Sequence, residues 1–128
     1  MFVYEQMELV VEMDEDKSVL IEFFGNAPNW RMIDFLMENC LQDFTKKDIA
    51  RGAKVSGASL YNHWKELEKN NVIKVTRTIG RVRLYQLDGR EPIVKQLRQI
   101  CMVLMRKAAD EAEEEIMVKA KAGKPRKK

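Results

Sequence analysis

The sequence predicts a mainly α-helical fold with one small β-hairpin and a long carboxy-terminal helix. Three observations predict it. Two short helices, each with its own start signal, follow one another between Thr45 and Leu67. After Asn70-Asn71 the apolar period falls to two, and Gly80 interrupts the run where a hairpin would reverse. From Pro92 helical spacing returns and holds through Ala112. At 128 residues this is one domain with appendages.

Residues 1–17 form an acidic amino-terminal segment. Within it Met7, Leu9, Val11 and Met13 alternate with polar neighbours, which suits a strand, and the same residues also suit a short acidic helix. Val19, Leu20, Ile21, Phe23 and Phe24 favour a short helix, capped by Ser18 and ended by Gly25, with a strand as the alternative. Pro28 then opens the next helix, where a missing N–H costs nothing. Trp30, Ile33, Phe35, Leu36, Met37 and Cys40 make that helix apolar on more than one face. Leu41 and Phe44 are expected to pack the loop that follows.

Thr45 caps a helix and Asp48, three residues on, completes an approximate capping box. Ser56 caps the next. The residues between, Arg51 to Val55, read as a tight turn containing Gly52, which is the helix-turn-helix pattern. Ile49, Ala53, Val55, Leu60, Trp64 and Leu67 are expected inside. Gly57, Ala58, Ser59, Tyr61, Asn62 and Lys65 are left facing out. Small residues at the start admit a helix closely to a major groove, and Ser56, Ser59, Tyr61, Asn62 and Lys65 suit its polar edges. Asn62 is the best adenine reader, since its amide donates and accepts together. In the hairpin, Val72, Lys74, Thr76 and Thr78 are expected on one side, with Ile73, Val75, Arg77 and Ile79 on the other. Arg77, Arg81 and Arg83 make a basic wing, suited to phosphate or a minor groove. Lys46, Lys47, Arg51 and Lys54 would hold the backbone of double-stranded DNA. For Tyr61 and Arg83 the alternative is packing or pairing within the protein.

The run Phe24 to Pro28, then DIARGAKVSGASLYNHWKELEKNNVIK, then TRTIGRVRLYQL resembles prokaryotic winged helix-turn-helix transcription regulators. It looks closest to archaeal members of the broad MarR/ArsR-like group, over about Val19 to Leu97. The resemblance implies that the helix opening at Ser56 is the recognition helix and that the hairpin around Gly80 is the wing. Gly57-Ala58 departs from the longer polar or basic side chains of many relatives.

Glu91-Pro92 opens the long helix. Ile93, Leu97, Ile100, Cys101, Leu104, Met105 and Ala108 form a stripe at spacings of three and four, continued by Ala112. A helix to about Lys119 would be roughly 40 Å long, more than a small domain covers. The same helix of a second chain is the simplest cover, so a homodimer is expected. The alternative is a helix folded back on its own domain. The organisation expected is therefore an acidic segment (1–17), a winged DNA-binding domain (18–90), a long dimerisation helix (91–118) and a basic disordered tail (119–128).

Charge follows the same division. Residues 1–26 carry seven acids and one Lys, whereas residues 45–90 carry eleven Lys or Arg and four acids. The last ten residues hold six Lys or Arg and no acid. A positive middle is the footprint of a nucleic-acid binder. The chain has one His and two Cys, too few for a Cys/His metal site, so no metal and no cofactor are expected. His63 beside Trp64 has no nucleophile to serve, and no phosphate-binding loop is present, so an enzyme is not expected. No leader or membrane-length apolar run is visible, which predicts a cytoplasmic protein. The function expected is a dimeric, sequence-specific transcription regulator. The alternative is a winged-helix module for protein interaction or architecture in a replication, partition or chromatin assembly. A small-molecule effector is unknown, since no convergent polar set marks a pocket.

Overall fold

The computed structural model describes residues 18–123, and the expectations for the acidic segment and the last five tail residues lie outside them. Its elements are α1 (Val19–Phe24), α2 (Pro28–Glu38), α3 (Lys46–Ala53), α4 (Gly57–Lys69), β1 (Ile73–Ile79), β2 (Val82–Leu87) and α5 (Pro92–Gly123). The chain divides into two compact units between Lys95 and Gln96, inside α5.

In the first unit the start signals act as the sequence predicts. Ser18 Oγ accepts from Ile21 N at 3.0 Å, and Pro28 occupies the first turn of α2. Thr45 Oγ1 accepts from Asp48 N at 3.1 Å while Asp48 Oδ2 accepts from Thr45 N, so the capping box closes. Ser56 Oγ accepts from Ser59 N at 3.1 Å. A cap of this kind is worth about 1 kcal/mol. Leu20, Met32, Leu36, Ile49 and Val94 are fully buried, with Ala53, Leu60, Trp64 and Leu67 close behind. Val55 is only half-buried.

Several expectations change. Gly52 is not in the turn. It is helical, and the reversal falls on Lys54, whose φ of 59° caps α3 in the left-handed region. Gly52 serves packing instead: a Cβ there would run into the Phe35 ring of α2. We expect Gly52→Ala to destabilise the protein by about 1–3 kcal/mol, because the methyl has no room unless the Phe35 ring is displaced. Chemical denaturation would check this, and a neutral or stabilising result would contradict it.

Leu41 does not pack its loop, being 91% exposed. Phe44 does pack, against Phe35 at 4.8 Å, and its backbone pairs with Tyr85. The strand alternation also fails. Val72 and Ile73 are both buried, and the β1–β2 register shifts between Val75 and Arg77. The strands are antiparallel, from Ile73 opposite Leu87 to Ile79 opposite Val82, and Gly80 has a φ of +63° in the connecting turn. Isolated hairpins are marginal, so this one depends on what holds its base. There Tyr85 meets the Trp64 indole edge to face at 4.8 Å.

The second unit is helical from Gln96 to Gly123. The helix therefore runs past Lys119, where the tail was expected to be disordered. Lys119 to Ala122 are strong helix formers, and glycine breaks the pattern only at 123. Ile100, Met102, Val103, Met105, Ile116, Met117 and Val118 are exposed along it.

Candidate nucleic-acid interface

Three groups of side chains were expected to meet duplex DNA, and the structure places them differently. The first lies on α4. Its buried stripe, Leu60, Trp64 and Leu67, turns the opposite face to solvent. Gly57, Ala58, Tyr61, Asn62 and Lys65 are exposed there, Tyr61 by 70%. Tyr61 is thus not a packed residue. No side-chain hydrogen bond or ion pair among the described residues engages Asn62 or Lys65. Ser56 has a structural duty, since its oxygen forms the cap. Ser59 is half-buried.

The second group opens α3. Lys47, Arg51 and Lys54 are exposed. Lys46 is half-buried, and its ammonium stands 5.0 Å from the centre of the Trp64 ring and 5.9 Å from that of Tyr85. Such a cation is held by the electron-rich ring faces, which fixes its charge in place.

The third group is the wing. Arg81 and Arg83 are exposed, so Arg83 does not pack inside the protein. They share a cleft of about 480 Å³ with Thr45, Lys46, Lys47, Val82 and Tyr85. Four cations from two distant stretches of sequence thus line one concavity. Arg77 stands apart. Its Nε and Nη2 donate to the two Asp43 oxygens at 2.9 and 3.3 Å, and Thr76 Oγ1 donates to the same carboxylate at 2.5 Å. Arg77 and Thr76 hold the Asp43 carboxyl below the usual carboxylate range. Arg77, expected as a phosphate contact, thus also forms an ion pair with Asp43, while its side chain stays 60% exposed.

Asp43 and Gln86, to which neither spacing nor composition gives a role, were missed by sequence reasoning. Their partners lie more than thirty residues away, and no local pattern marks such a pair.

A second hollow, of about 300 Å³, is lined by Arg31, Asp34, Phe35, Glu38, Gly52 and Lys54 among others. Burial pushes the Asp34 carboxyl up, partly offset by a hydrogen bond from Ser18. Burial and then the Asp34 charge raise Glu38. Among the described residues no group of three or more His, Cys, Asp or Glu is placed to hold a metal. No described helix is long and apolar enough to cross a membrane.

On α5 the expected dimer stripe divides. Leu97 and Cys101 are buried, in phase with Val94, whereas Ile93, Ile100, Met105 and Ala108 are exposed and Leu104 is half-buried. The helical phase decides this: residues 94, 97 and 101 share one face, and Ile93 falls off it.

These features define a winged helix-turn-helix fold with a long carboxy-terminal helix. No family model and no curated protein matches the chain. Among solved structures it is similar to MepR, a transcription regulator of the Staphylococcus aureus multidrug efflux pump MepA. The TM-score is 0.55 and the identity 18%, over 97% of this chain and 95% of MepR. A MepR variant bound to an oligodeoxyribonucleotide is equally similar, with TM-score 0.55 and 18% identity over 97% of this chain and 94% of that one. At this identity the likeness is one of fold.

Proposed function

We propose that the protein is a sequence-specific, double-stranded DNA-binding transcription regulator acting as a dimer in the cytoplasm, and not an enzyme. The observation that carries this is the cleft in which Lys46 and Lys47 of α3 meet Arg81 and Arg83 of the wing. Converging cations with no acid among the lining residues suit a polyanion's backbone. The exposed face of α4 adds groups that read base edges, with Asn62 foremost. A MepR variant of the same fold binds an oligodeoxyribonucleotide, which supports the reading. Placement among archaeal members of the MarR/ArsR-like group rests on the sequence resemblance.

In this reading residues 18–90 bind DNA and the helix of residues 91–118 joins two copies. Exposed Ile93, Ile100, Met105 and Ala108, with Leu104, would form that contact. A continuous apolar patch on a helix is a surface for association. One recognition helix would enter each half-site, with centres about one helical turn apart.

Selection of bound sequences from a random duplex pool at near-physiological salt tests this. A palindromic motif with half-sites one turn apart supports a dimeric reader. Absence of any binding returns the protein to the interaction-module alternative. Within a selected site, Asn62→Ala should cost about 1–3 kcal/mol at a single base pair and relax preference there. Unchanged affinity and preference in a competition assay would remove Asn62 from the reading face.

A further inference from the structure

The loop between α2 and α3 grips the hairpin on both of its strands. Gln86 Nε2 donates to the Cys40 carbonyl at 2.7 Å. Phe44 and Tyr85 exchange backbone N–H···O bonds of 2.8 and 2.7 Å. On the other strand Thr76 and Arg77 donate to Asp43, through three bonds of 2.5, 2.9 and 3.3 Å.

Two features set the Asp43 contact apart from an ordinary surface ion pair. Thr76 and Arg77 are consecutive, and in a regular strand consecutive side chains point to opposite faces. Here the register shift between Val75 and Arg77 brings both to one carboxylate. Such a bulge bends its strand and sharpens the local twist, so it aims whatever lies beyond. Beyond it lies the tip. Ile79 and Val82 are exposed, and past Arg77 no side-chain hydrogen bond or ion pair among the described residues ties Thr78 to Arg83 to the rest of the unit. The tip's direction is thus set at its base.

We infer that Asp43 is a positioning residue for the wing: it clamps the bulge and so aims Arg81 and Arg83 toward Lys46 and Lys47. It touches no DNA itself. The inference rests on the duplex-binding reading above and gives that site its alignment. It also makes a prediction opposite in sign to simple electrostatics. A carboxylate near a phosphate-binding surface repels the polyanion, so neutralising it should strengthen binding. Removing a clamp should weaken it.

The full chain is compared with Asp43→Asn, Arg77→Gln and the double variant. Both residues are partly solvent-exposed, and a near-unchanged thermal midpoint would confirm that the variants fold. Two quantities are measured: duplex affinity at fixed salt, and hydrogen exchange of the Thr78 to Arg83 amides without DNA. Each single variant should exchange faster at the hairpin and lose about fivefold or more in affinity. The double variant should be no worse than either, because all three break one linkage. Tighter or unchanged binding by Asp43→Asn overturns the inference, as do additive losses or unchanged exchange. If the wild type binds no duplex, the functional reading falls. Faster hairpin exchange in Asp43→Asn then still supports the clamp, and unchanged exchange overturns it too.

Discussion

Trp64→Ala is expected to lower the free energy of unfolding by about 3–5 kcal/mol. Small domains are stable by only about 5–15 kcal/mol, so this one side chain carries a large part of the margin. Trp64 is 3% exposed and lies on the buried stripe of α4 with Leu60 and Leu67. It also joins elements that have little else in common. Its ring meets Tyr85 of β2 at 4.8 Å and receives Lys46 of α3 at 5.0 Å. Truncation leaves a cavity at that junction, and the hairpin and the α3 cation both lose their platform. The indole Nε1 has no hydrogen-bond partner among the described residues. The loss is therefore one of packing, and Trp64→Phe should recover much of it. Urea unfolding followed by circular dichroism would measure both. A loss under about 1 kcal/mol for the alanine variant would show that the site collapses without cost, against this account.

The second large effect concerns salt. Replacing Lys47, Arg81 and Arg83 together by Gln should flatten the dependence of log affinity on log salt by about two to three units, close to 0.9 for each phosphate that is no longer neutralised. Affinity at physiological salt should fall about a hundredfold. Preference among duplex sequences should survive, since phosphate contacts carry no sequence information. The three residues line one cleft and are exposed, so the fold should not suffer. Affinity titrations on one duplex across a salt series would decide it. An unchanged slope would place the cleft off the path of the DNA backbone. Lys46 is left out of this set because its charge is seated on Trp64 and Tyr85, and removing it would mix packing with electrostatics.

Both effects depend on features of different visibility in the amino-acid sequence. The helix starts at Ser18, Thr45 and Ser56 were legible, because each cap acts over three residues and its chemistry is written beside the helix it opens. The stripe of Leu60, Trp64 and Leu67 was legible because burial of one helix face repeats with the helix period. Gly80 marked the hairpin because a positive φ suits glycine. These local signals were enough for the fold class and for the solvent-facing side of α4.

What they did not reach depends on residues far apart in sequence. Gly52 looked like a turn residue, and only the approach of α2 shows that it is small to admit the Phe35 ring. Ile93 and Val94 are equally apolar, and only packing chose Val94 for the core. Leu41 is apolar yet exposed, since the strap it belongs to is held by its neighbours Cys40, Asp43 and Phe44. The same strap gave Arg77 a carboxylate partner, while Lys46, Lys47, Arg81 and Arg83 came together across a gap of more than thirty residues. Periodicity and capping are properties of a few neighbouring residues, so they survive in one dimension. Which cation is paired and which is left for a partner is a matter of distance between segments, and tertiary structure alone decides it.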